Sequence, residues 1–357
     1  MTEPRILQVP PEDAQSYDCL ALGEVMLRLD PGEGRIRRAN AFNVWEGGGE
    51  YNVVQGLSQC FNRRTAIVSA LVDNEVGRLI EGLIRRSGVD SRWIHWQPHD
   101  GLGQAARNGL YFMERGFGER GAAAVMDRGH TAIAQLQASD IDWSALFSTA
   151  RPRWFHVGGV MAGLSELSHA VVAAAMQAAR AQGAVVSYDL NYRASLWQSR
   201  GGRAAAKAAN AELIQYADVL FGVESLPRPV DSLDEAVFGD ALQQMQQQFP
   251  HLRQVVSTMR VVKDASHNDW SGICLSGGQL YSARPRLGLS ILDRVGGGDA
   301  FAGGYIHAML AGMEIPQALD IATAHGALVM TTPGDNSMLA KADVLACAQG
   351  DDAAARR

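Results

Sequence analysis

From Trp154 to Thr258 short apolar runs alternate with longer helical ones, and no other feature restricts the fold as much. Trp154 to Val157 reads as a strand, and Ser165 to Gln182 as an Ala-rich helix stopped by Gly183. Ala184 to Tyr188 is the next strand and Gly202 to Tyr216 the next helix. Asp218 to Phe221, Asp234 to Phe249 (closed by Pro250) and Gln254 to Thr258 continue the pattern. Parallel strands need crossovers of this length, and helices then cover both faces of the sheet. The expected class is α/β with a mostly parallel sheet.

The earlier half is less regular. Cys19 to Leu29 reads as one strand, amphipathic near its end, and Ala41 to Trp45 as a short return. A helix is expected from about Asn52 to Cys60, then a buried strand from Thr65 to Val72. Asp73 or Asn74 caps a helix whose buried face is Val76, Leu79, Ile80, Leu83 and Ile84, ended by Gly88. Gly109 to Glu114 and Ala122 to Arg128 are two strands around a Gly-rich turn, Arg115 to Gly121. They break the alternation. With residues 30–45 they are assigned to a small β lid, drawn from about 28–46 and 105–128. Neither a repeat nor a dividing linker is visible, so residues 1–357 are taken as a single domain.

Composition excludes several classes. At 47% hydrophobic, 357 residues can bury a large core. The net charge of −6 comes from interspersed signs, so neither nucleic acid nor an anionic membrane is an expected partner. The N-terminal residues Met1 to Tyr17 lack an apolar signal region, and no apolar run spans a bilayer. Cys19, Cys60, Cys274 and Cys347 lack zinc or C-x-x-C spacing, which points to free thiols in a cytoplasmic protein.

The chemistry is expected around Asp293-Arg294-Val295-Gly296-Gly297-Gly298-Asp299, between an extended run from Leu287 to Leu292 and a helical run from Ala300 to Leu310. Glycines let backbone approach a ligand. A helix starting just after them points free N–H groups and its positive end at the loop, which makes an anion site. Asp299 is out of place beside a phosphate. Either it takes the proton of an attacking hydroxyl, or it is an N-cap. No GxxxxGK[ST] phosphate loop occurs, and no strand–GxGxxG–helix unit near the start supports a dehydrogenase.

Together with Gly47-Gly48 and Asn52, this motif resembles the ribokinase/PfkB family of sugar kinases, over roughly Cys19 to Val344. A finer resemblance is to 2-keto-3-deoxygluconate kinases. It lies at Gly23-Glu24-Val25-Met26-Leu27, Asp127-Arg128, Asp189-Leu190-Asn191-Tyr192-Arg193 and Pro333-Gly334-Asp335, with Thr258-Met259-Arg260 and Ser266 to Ser271 matching one branch. The resemblance implies a three-layer α/β/α sandwich with a β lid, and transfer of the ATP γ-phosphoryl group to a sugar hydroxyl. It makes Asp299 the base and the amides of Gly296, Gly297 and Gly298 the anion hole. Gly47, Gly48, Asn52 and Tyr111 then face the sugar, and Arg193 and Arg128 its carboxylate. Arg260, Trp270 and Thr323, with Gly296 and Gly298, face the nucleotide.

Each of these residues also has an ordinary role: a turn for the glycines, a cap for Asn52, lid packing for Tyr111, solvent for the arginines, and core for Trp270 and Thr323. Arg28 stands near where ribokinase-like members carry an acid, which favours an anionic sugar, or it points into solvent. The family's Asn-x-x-Glu segment is Val223-Glu224-Ser225-Leu226 here, leaving Glu224 as the metal candidate for Mg²⁺. Met126 replaces a tyrosine common before the lid Asp-Arg. The expected activity is an ATP- and Mg²⁺-dependent kinase of a sugar acid, 2-keto-3-deoxygluconate to its 6-phosphate. Alternatives are a neutral ketose or nucleoside acceptor, or a weakly catalytic sugar or nucleotide sensor. A homodimer pairing its lids is expected, because lid strands have open edges.

Overall fold

A computed structural model describes residues 7–224, 226 and 230–350. Its strands are β1 (Cys19–Leu22), β2 (Met26–Asp30), β3 (Asn43–Gly47), β4 (Thr65–Asp73), β5 (Asp90–Pro98), β6 (Leu110–Glu114), β7 (Ala123–Asp127), β8 (Trp154–Gly158), β9 (Val185–Asp189), β10 (Val219–Phe221), β11 (Gln254–Val262), β12 (His267–Ser276), β13 (Gln279–Ser282) and β14 (Arg286–Ser290). Ten of them form the main sheet, in the order β13-β12-β11-β10-β9-β8-β1-β4-β5, with β14 also paired to β12. From β11 through β5 every pairing is parallel; the β12 pairings are antiparallel. The inner strands are buried on both faces, so they are near-continuous apolar runs such as Ala66 to Val72, interrupted only by Ser69. Apolar layers on its two faces form the core, one around Phe155 and Val186, the other around Trp154 and Val185.

The alternation from Trp154 to Thr258 follows the expected course. Ser165 caps the helix Glu166–Ala181, accepting from the Ser168 N–H at 3.1 Å, and Asp234 caps Glu235–Gln248. The earlier half departs from expectation in three places. Cys19 to Leu29 is two strands in two sheets, broken at Gly23 to Val25. The break is where Gly48 passes so close that a Cβ on it would stand 1.9 Å from the Glu24 carbonyl oxygen. The helix Glu75–Arg86, capped by Asn74, buries Ile80, Leu83 and Ile84, but Val76 and Leu79 are exposed. Strand β5 escapes a reading by periodicity because, on the sheet edge, its residues are mostly half-buried.

β3, β2, β6 and β7 form the second sheet. β2 pairs antiparallel with β3 and parallel with β6, so Arg28 stands opposite both Trp45 and Tyr111. Its β6–β7 turn reaches the hairpin between β11 and β12. There Ala265 N–H donates to the Gly118 carbonyl at 2.9 Å, and Gly118 N–H to Ser266 Oγ at 2.8 Å. Among the described residues no helix is long and apolar enough to cross a membrane.

Candidate active site

Strand order reverses between β1 and β8: β4 and β5 lie to one side, β9 to β11 to the other. Open α/β sheets bind ligands at such a reversal, beyond the carboxyl ends of the strands. Gly23, Gly158 and Asp189 mark those ends here. Glu50, near the start of the helix Gly49–Gln59, fills the corner and is buried. A Cβ on Gly23 would stand 2.5 Å from Glu50 Oε2, and one on Gly158 would stand 3.2 Å from Oε1. Glu50 Oε1 accepts from Met161 N–H at 3.3 Å, and Oε2 is buried without a hydrogen bond. Burial pushes its pKa up to about 7.

Asp299 is the third residue of the helix Gly297–Leu310, whose N-cap position is Gly296. It is therefore not the N-cap, and its Oδ2 instead accepts from Asn52 Nδ2 at 2.7 Å. Asn52 is likewise inside its helix rather than capping it, and its Oδ1 accepts from Gly48 N–H at 3.2 Å. Gly49 packs in the same corner: a Cβ there would be 3.4 Å from Asn191 Nδ2 and 3.8 Å from Asp299 Oδ1. Asn191 has a φ of 31°, a strained value for a residue with a side chain, held where β9 ends. Burial raises the Asp299 pKa to about 7, and the charges of Asp189 and Asp335 add to it; the Asn52 bond and Arg193 act the other way. Asp189 is itself raised to about 6, by burial. A carboxyl half-ionised near neutrality is suited to receive a proton.

The anion loop leads into this helix. Gly296 has a φ of 81°, and a Cβ on it would stand 2.1 Å from the Asp335 carbonyl oxygen. Only glycine fits both the conformation and the approach. Gly298 is exposed, with open space where a Cβ would be, so its backbone is accessible to a ligand. With the helix dipole, this is a fit for phosphate oxygens.

The arginines differ in what they are free to do. Arg193 stands at the N-cap of Ala194–Trp197. Among the described residues no ion pair or hydrogen bond engages its guanidinium, though Asp299 and Asp189 feel its charge. Arg128 gives Nε (2.9 Å) and Nη2 to Glu24 Oε2. Arg260 lies near the end of β11, with Arg294 and Arg193 as electrostatic neighbours, and Arg294 Nη2 donates to the Asp264 carbonyl at 3.3 Å.

Arg28 neither meets solvent nor stands free for an anion. It is fully buried and paired to Asp30, Asp293 and Asp335. Tyr111, also buried, donates its hydroxyl to Asp335 Oδ2. A Cβ on Gly47 would be 2.6 Å from both Asp335 Oδ2 and the Tyr111 hydroxyl. Trp270 and Thr323 are buried against each other, with Trp270 Nε1 donating to the Thr323 carbonyl at 3.2 Å.

Glu224 lies 3.2 Å from Lys207 Nζ. Ser225, in the same segment, lies outside the described residues. Among the described residues no three metal-binding side chains gather into a cage. A magnesium ion carried on phosphate oxygens and water needs no such cage, so the site is compatible with one.

Sequence reasoning named Asp299, Asn52 and the glycines, which this geometry gathers at one corner. It gave no role to Glu50, Glu24, Asp189 or Asn191. Glu24, Asp189 and Asn191 lie in segments that carry the finer resemblance, and the signal for Glu50 is its position after three glycines.

The sequence pattern of pfkB family carbohydrate kinases matches residues 17–342, and the chain belongs to that family of ATP-using sugar kinases. It is 28% identical to a 2-dehydro-3-deoxygalactonokinase of Haloferax volcanii over 94% of this chain and 98% of the relative. It is 26% identical to a 2-dehydro-3-deoxygluconokinase of Thermoproteus tenax, over 95% and 96%. The crystal structure of the 2-dehydro-3-deoxygluconokinase of Thermotoga maritima superposes with a TM-score of 0.85 at 30% identity, covering 94% of this chain and 99% of that one.

Proposed function

We propose that this kinase uses ATP with Mg²⁺ to phosphorylate a sugar acid, 2-keto-3-deoxygluconate, giving the 6-phosphate. The observation that carries the acid is Arg193, a cation beside the base with no carboxylate bonded to it among the described residues. A guanidinium in that state matches a substrate carboxylate bidentately. Several relatives are named for 2-dehydro-3-deoxy acids, which agrees.

In this reading Asn52 orients Asp299 and contacts sugar hydroxyls with Gly47 and Gly48. Asp299 receives the proton of the distal hydroxyl as its oxygen bonds to the γ-phosphorus and the bond to the ADP oxygen breaks. The Gly296, Gly297 and Gly298 amides stabilise the charge on the transferring oxygens. Arg260 faces the nucleotide, over the wall made by Trp270 and Thr323. Glu224 would be the side chain that holds Mg²⁺, which when bound with ATP would offset phosphate charge. The second sheet acts as the lid that keeps water out, with Tyr111 under the sugar.

A neutral ketose is the second reading. It is favoured by the pairing of Arg128 with Glu24, which leaves less of that cation for a substrate. Coupled ADP release across sugar acids and neutral ketoses separates them, and equal turnover of both classes would defeat carboxylate recognition. Exposed Val44, Val125 and Met126 on the second sheet, with Phe117 in its β6–β7 turn, support a lid-to-lid homodimer, testable by light scattering. Four free cysteines support the cytoplasm.

A further inference from the structure

Three carboxylates surround the buried guanidinium of Arg28. Nη1 donates to Asp335 Oδ1 at 2.6 Å; Nη2 donates to Asp30 Oδ2 at 2.7 Å and to Asp293 Oδ2. Such a cluster is weak support for stability, because desolvation offsets most of the Coulomb gain. Apolar packing would hold β2 at least as firmly. What the cluster adds is a fixed geometry between segments that are far apart in the chain.

Arg28 belongs to β2 of the second sheet. Asp293 opens the anion loop: its Oδ1 accepts from Val295 N–H at 3.2 Å, and its Oδ2 from Gly334 N–H at 3.3 Å. Asp335 faces both sides. Its Oδ2 meets the Tyr111 hydroxyl and crowds Gly47, while its backbone carbonyl packs onto Gly296. A shift of β2 is thus passed through two carboxylates to the backbone of the anion loop. Without Arg28, Asp293 and Asp335 would be left as like charges in a buried place.

We propose that Arg28, acting through Asp293 and Asp335, is a positioning residue that holds the anion loop in register with the second sheet. The loop amides then align for the transferring phosphoryl group only while β2 is seated. This rests on the kinase reading above and adds to it a residue that touches neither substrate. Lysine keeps the charge but cannot bridge three carboxylates with a planar fork.

The test compares the wild type with Arg28→Met and Arg28→Lys. It measures sugar-dependent ADP release, and binding of ADP alone or with aluminium fluoride, a mimic of the transferring phosphoryl group. Arg28→Met is expected to lose about a hundredfold in kcat, with the sugar KM moving less than about threefold. ADP alone should bind as before, and the gain from aluminium fluoride should vanish. Arg28→Lys should recover about tenfold of the lost kcat. A folded Arg28→Met with wild-type kcat, with loss confined to the sugar KM, or with equal loss of ADP binding overturns the proposal. If only Arg28→Lys folds, the same outcomes decide on it. If neither folds, the cluster serves stability and the proposal falls. Absence of ADP release from the wild type with every sugar tried would instead sink the kinase reading.

Discussion

Among the described residues Asp299, Asp189 and Glu50 lie at the strand ends with no cation bonded to any of them, whereas Asp30, Asp293 and Asp335 are gathered on Arg28. Glu50 and all of the second trio are buried, and Asp299 and Asp189 are half-buried. The first trio answers by holding on to protons, with pKa values pushed up to about 7, 6 and 7. In the second, burial also raises Asp293, but Arg28 opposes it directly. An uncompensated buried carboxyl is reactive toward protons, and one clamped by a fork is held in place. The difference separates groups fit for proton transfer from groups that fix geometry.

The sharpest way to break this contrast is Asp299→Asn, which preserves shape and removes the proton acceptor. A loss of about a thousandfold in kcat, with sugar KM within a few-fold, is expected in ADP-release assays. A few-fold loss in kcat would move Asp299 into the geometric trio. Next comes Arg193→Ala. It should cost about a hundredfold in kcat/KM for a sugar acid and leave a neutral ketose nearly untouched. Arg128→Ala, whose fork already serves Glu24, should cost about tenfold on the same acid. An inverted order would mean that Arg128 leaves Glu24 when substrate binds.

Acidity gives a milder probe. The active form of Asp299 is the carboxylate, so kcat/KM should rise with pH and level off above about 7. Below that it should fall by about tenfold per pH unit. Asp189→Asn removes a neighbouring negative charge, so the apparent pKa of that profile should move down. A profile unmoved by Asp189→Asn would uncouple the two carboxylates. The smallest effect concerns stability: replacing Asp299 by Asn removes a buried charge above pH 7, so Tm there should rise slightly.

The residues differ in how plainly the sequence marks them. Gly296, Gly297, Gly298 and Asp299 are contiguous, and a glycine run before a helix has few other uses. Gly48 and Asn52 belong to one helix start, so their spacing is also local. Arg28 is the opposite case. Its neighbours in sequence, Leu27 and Leu29, say only that a strand passes. Whether its side chain meets solvent, substrate or acid depends on Asp293 and Asp335, hundreds of positions away. Val76 and Leu79 are misplaced for a related reason. Periodicity identifies the helix, but how wide a stripe is covered depends on the neighbour it packs against.

The sequence by itself determined the α/β class, the helix that follows the glycine loop, and the acid at its start. These depend on local propensity, on the length of crossovers, and on backbone conformations that only glycine adopts. Tertiary structure alone decided which carboxylates stand at the strand ends and which are clamped by Arg28, and that Arg193 has no ion pair among the described residues. Desolvation and charge pairing arise between residues brought together by folding, and no spacing along the chain encodes them.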